Sequence, residues 1–217
     1  MFDYDKLVAA LTDGPPQQKA QMVRDFTAQA LDGGERPVDV LNKGLVAGMG
    51  IIGERFKNQQ CWIPEVLIAA RAMKQGMEVL RPKLVETGVQ PVAKVAIGTV
   101  RGDLHDIGKN LVAMMLEGAG FEIIDLGVDV KPEQFVQSVK DNGAKVICLS
   151  ALLTTTMPAM KETIEGLTSA GVRDSACVMI GGAPVTQSYA DEIKADGYAP
   201  DAASAVDKAK ELLAAKG

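Results

Sequence analysis

The sequence predicts an α/β protein in two parts. A four-helix bundle over residues 1–88 is followed by a flavodoxin-like (Rossmann-type) five-stranded parallel sheet over residues 89–217. Three observations carry that expectation. Up to about Gly88 the apolar residues repeat at helical spacing, with turn signals between the runs. From Lys94 onward, short β-rich runs alternate with amphipathic segments, the pattern of successive βαβ units. Between the two lies "TGVQPVAK", a Gly- and Pro-bearing stretch that reads as a linker.

In the first part, "YDKLVAALTD" is a short helix stopped by Gly14-Pro15-Pro16. "QQKAQMVRDFTAQALDGG" is a second, closed by Gly33-Gly34. Pro37 suits the first turn of a third helix, through "VDVLNKGLVAGMGIIGERF", and Pro64 that of a fourth, "EVLIAARAMKQGMEVLRPKLVE". Amphipathic helices with short connections pack as a small antiparallel bundle. Gly44, Gly48, Gly50 and Gly53 stand in one helix, at about 1 kcal/mol each relative to Ala. Close packing against a neighbouring helix or a flat ligand explains them, and so does loose local design.

In the second part, "KVAIGTV", "FEIIDLG", "KVICLSA", "CVMIGG" and a short run near "GYAP" are strands, each followed by a helix. Short apolar strands alternating with helices imply a parallel sheet covered on both faces. In the order 2-1-3-4-5 the ligand crevice lies outside the carboxyl ends of strands 1 and 3. Three segments then converge there: "RGDLHDIG" after strand 1, "LSALLTT" after strand 3, and Gly181-Gly182 after strand 4.

Charge and composition exclude several classes. The chain is net −5; residues 1–88 hold 11 basic and 11 acidic groups, so the acidic excess lies in residues 89–217. Neither part has the basic surplus that phosphate backbones demand, so nucleic acid is not an expected partner. "MFDYDKLVAAL" lacks the pattern of a signal peptide, and no apolar run approaches the roughly 18 residues of a membrane span. Cys61, Cys148 and Cys177 lie far apart without CxxC spacing, which suits reduced thiols in a cytoplasmic protein.

His105 is the only histidine. A loop histidine can be a solvated surface group; on the crevice loop it is a candidate metal ligand, with its other ring nitrogen held by an acceptor. Asp103 can supply that acceptor, and Ser150, across the crevice, can extend the chain of hydrogen bonds. Asp103 or Asp106 can equally cap the helix that begins near Ile107. One histidine with two acids and no clustered thiols falls short of a protein metal cage. A metal held here must bring most of its coordination with it, as a macrocycle does. Gly108, Gly181 and Gly182 are turn residues or points of close approach by a bulky ligand. There is no GxGxxG after the first strand, no GxxxxGK[ST], and no serine elbow.

"DLHDIG" is similar to the DxHxxG motif of cobalamin-binding domains, "SAL" at 150–152 to the accompanying SxL, and Gly181-Gly182 to the later GG pair. The helical part, with "GLVAGMGIIGERF" and "WIPEVLIAARAMKQGMEVLRP", resembles the cap of methionine synthase and small corrinoid proteins. The whole chain resembles the stand-alone methyl-carrying corrinoid protein of a three-component methyltransferase system. That resemblance implies a bound cobalamin or related corrinoid whose own base leaves cobalt, with His105 replacing it as lower axial ligand. It implies that Asp103 and Ser150 adjust the protonation of His105. Gly108, Ser150, Leu152, Gly181 and Gly182, with Asp106 and Thr154, would contact the cofactor and its nucleotide tail. Phe56 and Ile63, with Trp62 beside them, match apolar residues that shield the methyl group. The implied partners are a donor-side methyltransferase, an acceptor-side methyltransferase delivering to tetrahydrofolate or a thiol, and a corrinoid reductive activase. The methyl donor (methanol, a methylamine, a betaine or an aryl methyl ether) is a partner's property. A cobalamin-binding sensor is the alternative.

Overall fold

An acidic cap starts the chain's first helix: the Asp3 carboxylate accepts the Asp5 N–H ahead of α1 (Tyr4–Thr12). The computed structural model describes residues 2–216. They divide into two units, one holding residues up to Pro91 together with Glu117–Gly120, the other Val92–Leu116 together with residues from Phe121 on.

In the helical unit, α2 spans Lys19–Asp32 and α5 spans Ile63–Glu86, with Pro64 in its first turn. The segment between them is one helical run of changing pitch. α3 (Pro37–Asp39) passes into a π-helical stretch, Val40–Val46, and then into α4 (Ala47–Lys57). The sequence carries no periodic signal for the π segment. The glycines of this run have a packing cause. A Cβ at Gly44 would stand 2.4 Å from Leu7 Cδ2, and one at Gly48 would stand 3.1 Å from Leu11 Cδ2. Both leucines are fully buried on α1. Close helix packing therefore accounts for these two positions, whereas a Cβ at Gly50 would meet nothing within 4 Å.

The second unit is a five-stranded parallel sheet in the order β2-β1-β3-β4-β5. Its strands are β1 (Lys94–Thr99), β2 (Glu122–Asp125), β3 (Val146–Ser150), β4 (Cys177–Gly181) and β5 (Gly197–Tyr198). α6 (Ile107–Gly118), α7 (Pro132–Lys140), α8 (Pro158–Ser169), α9 (Gln187–Glu192) and α10 (Ala202–Lys216) connect and follow them. Strands buried on both faces read as unbroken apolar runs, as Val146–Leu149 and Cys177–Ile180 do. Phe135, Leu149, Met160, Leu167 and Ile180 fill one side of the core. Register places Thr99, Ser150 and Gly181 side by side at the carboxyl ends of three neighbouring strands. Among the described residues, no helix is long and apolar enough to cross a membrane.

Candidate functional site

The loop between β1 and α6 folds around one buried carboxylate. Asp103 is wholly inaccessible to solvent, and both its oxygens are occupied. Oδ1 accepts the His105 N–H at 3.0 Å and faces His105 Nδ1 at 2.7 Å. Oδ2 accepts the Thr156 hydroxyl at 2.7 Å and the amides of Leu152 and Leu153 at 2.8 and 3.3 Å. Burial by itself disfavours the charge. The His105 and Leu152 amides, the Thr156 hydroxyl and the His105 ring outweigh that penalty and hold the carboxyl well below the usual range. An ionised carboxylate only accepts, so the Nδ1 that faces it carries a proton. The Thr99 hydroxyl donates to the His105 carbonyl at 2.8 Å, fixing the residue's backbone as well as its ring. The imidazole itself remains half exposed, at 51%.

Apolar residues stand exposed on the same loops and at the start of α6: Leu104, Ile107, Leu152 and Leu153, the first two more than 70% accessible. Large apolar side chains left open around one polar group mark a surface that receives a partner or ligand. Of the Gly pair, Gly182 is sterically required, while a Cβ at Gly181 would stand 3.1 Å from the Ala199 carbonyl oxygen. Gly182 has φ 132°, and a Cβ there would lie 1.8 Å from the Ala151 carbonyl oxygen. A Cβ at Gly108 would meet nothing within 4 Å, so the space in front of that residue is open.

The expected hydrogen-bond chain changes in one member. Asp103 reaches Thr156, not Ser150, because the turn after β3 brings residue 156 back over the carboxylate. Ser150 ends β3, where its carbonyl accepts the Val100 amide. Thr154 is exposed on the turn and is not among the donors to Asp103. Asp106 immediately precedes α6: its carbonyl and carboxylate accept the Asn110 amide and side chain, at 2.8 and 3.0 Å. The orienting acid is Asp103 alone. Thr156 was hidden in "LLTTTM", where nothing distinguishes one threonine from the next. Phe56, Trp62 and Ile63 belong to the helical unit. Phe56 is half-buried, while Trp62 and Ile63 are 67% and 42% exposed, so these last two are not bundle core.

Among the described residues no group of three or more His, Cys, Asp or Glu side chains could hold a metal ion. The loop offers a single imidazole nitrogen amid exposed apolar residues and open glycine-lined space. That donor set fits a metal delivered inside a large, flat, apolar macrocycle. A parallel sheet in this order, with a carboxylate-anchored histidine on its first loop, defines a doubly wound α/β domain whose ligand site lies at the carboxyl ends of β1 and β3.

Comparison with known families agrees. The chain belongs to the B12 binding domain family, whose model matches residues 93–207, and a second B12 binding domain model matches residues 4–81. It binds a corrinoid. The chain is 48% identical over 179 residues to dimethylamine corrinoid protein 1 of Methanosarcina acetivorans, covering 82% of this chain and 84% of that one. It is 41% identical over 212 residues to a corrinoid protein of Desulfitobacterium hafniense, covering 96% of each. The structure is similar to a chain in the methanol:cobalamin methyltransferase complex MtaBC of Methanosarcina barkeri. The TM-score is 0.83 at 28% identity, with coverage of 98% of this chain and 81% of that one.

Proposed function

We propose that this chain is a corrinoid methyl carrier, with His105 as the lower axial ligand of cobalt. When bound, the corrinoid supplies a cobalt centre able to accept and surrender a methyl group. The observation that carries the reading is the His105 ring held with Nδ1 2.7 Å from buried Asp103, which leaves Nε2 as the ring nitrogen able to donate to a metal. Asp103 sets the tautomer and the orientation of the ring. Thr156 and the Leu152 amide keep that carboxylate charged and immobile.

Leu104, Ile107 and Leu152 would support the ring's apolar edge, and Gly108, Gly181 and Gly182 would leave room for the nucleotide tail, with Asp106, Ser150 and Thr154 at its margin. Phe56 and Ile63, with Trp62, are assigned to shielding the methyl group from water. The likeness to a chain of a methanol:cobalamin methyltransferase complex supports a methyltransferase partner that loads the carrier; an acceptor-side methyltransferase delivering to tetrahydrofolate or a thiol, and a reductive activase, complete the proposal.

The test is methyl transfer with the full chain loaded with hydroxocobalamin and reduced. Donor-side methyltransferases for methanol, methylamines, betaine and aryl methyl ethers are each offered with their substrate. One of them should methylate the carrier stoichiometrically, and a second enzyme should remove the methyl group. Failure of every donor class to methylate a fully loaded, reduced chain would overturn the reading.

A further inference from the structure

The loop carrying His105 is braced from a second side, by the segment after β2. Asp129 sits there with φ 53°, in the left-handed region that few residues other than Gly, Asn and Asp adopt readily. In that conformation it grips the β1–α6 loop with both backbone and side chain. Its Oδ1 accepts the Gly102 N–H at 2.7 Å, and its own N–H donates to the Asp103 carbonyl at 3.0 Å. One residue therefore closes on both sides of the dipeptide that introduces the buried carboxylate.

The root of the segment is tied down as well. Lys109 Nζ, on α6 and almost wholly buried, lies 2.6 Å from each oxygen of Asp125, the last residue of β2. Asp125 Oδ1 also accepts the Gly127 N–H at 2.9 Å, and the Gly127 carbonyl accepts the Thr99 N–H at 3.0 Å. Thr99 is the residue whose hydroxyl holds the His105 carbonyl. A closed circuit of hydrogen bonds thus runs from α6 through the β2 end to both flanks of the histidine.

We propose that Asp129 is a positioning residue for His105, its carboxylate locking Gly102 so that Asp103 and the imidazole meet at a fixed geometry. The assignment deepens the axial-ligand reading above and rests on it only for its relevance to cobalt. A rigid first loop is what a single protein ligand requires, since the sequence holds no second histidine to share its task.

The test exploits the single histidine: one imidazole N–H signal is observable, without overlap, in the full chain free of corrinoid. Its exchange with water is measured by nuclear magnetic resonance in the parent, D129G and D129N. Gly accepts the same φ and keeps the backbone bond, so D129G removes the side-chain grip without adding strain. Asn keeps the conformation and an accepting oxygen. Loss of a hydrogen bond to a charged acceptor should speed exchange at least about tenfold in D129G, while D129N stays within about twofold of the parent. Unchanged exchange in D129G overturns the proposal, and so does D129N being as impaired as D129G. A second arm loads each protein with hydroxocobalamin and subtracts the spectrum of H105A. D129G should keep less than about half of the His105-dependent difference, and D129N nearly all of it. If the parent shows no such difference, the axial-ligand reading fails, and the exchange measurement still decides the role of Asp129.

Discussion

Replacing Thr156 with valine removes one atom's worth of chemistry from the site and almost no volume. The Thr156 hydroxyl donates to Asp103 Oδ2 at 2.7 Å, and that carboxylate has no access to solvent, so water cannot substitute. A hydrogen bond to a charged group is worth about 1.5–3 kcal/mol. T156V should therefore lose about 2 kcal/mol, a fall of about 4–8 °C in melting temperature for a chain of this size. The pH dependence identifies the group. Asp103's folded carboxyl lies below its ordinary value, so its contribution is complete above an unfolded value of about 4 and is lost as pH falls through the folded one. T156V moves the folded value up towards the unfolded one. The deficit should then be constant from neutral pH down to about 4 and shrink only in stronger acid. Thermal melts followed by circular dichroism across that range provide the assay. A deficit that disappears between neutrality and about pH 5, or no deficit at all, would refute the role given to Thr156.

Other expectations follow from the same geometry. D125A strands the buried Lys109 ammonium and should cost about 3 kcal/mol, whereas K109M leaves only a half-exposed carboxylate and should cost about 1 kcal/mol or less; denaturant titration compares them. G50A, in open space on α4, should stabilise by several tenths to about 1 kcal/mol. G44A, facing Leu7 at 2.4 Å, should destabilise by about 1–3 kcal/mol. Burial raises all three thiols, Cys148 up to about 12, so a thiol reagent at mildly alkaline pH should modify none until the chain is unfolded.

Much of the architecture was legible in the sequence because parallel βαβ units announce themselves: apolar strands, amphipathic helices and glycines at strand ends follow from burial on both faces. The crevice loops followed from strand order. What escaped was set by tertiary contact. The π-helical turn at Val40–Val46 has no periodic signature, and Gly44 and Gly48 became interpretable only once Leu7 and Leu11 lay against them. Ser150 was the expected partner of Asp103 because it ends the neighbouring strand. Thr156, six residues on, takes that place since the intervening turn folds back over the loop. Asp129 was invisible for a similar reason: in "DLGVDV" nothing marks a left-handed aspartate that grips a loop far away in sequence.

The most direct measurement of the central claim uses the fact that labelling every histidine labels only His105. Chain grown with heavy-isotope nitrogen in histidine, loaded with cobalamin and reduced to the divalent state, is examined by electron paramagnetic resonance. Ligation through His105 predicts that the nitrogen splitting on each cobalt line changes from a triplet to a doublet. A splitting that stays a triplet would leave the cofactor's own base on the metal and contradict the account.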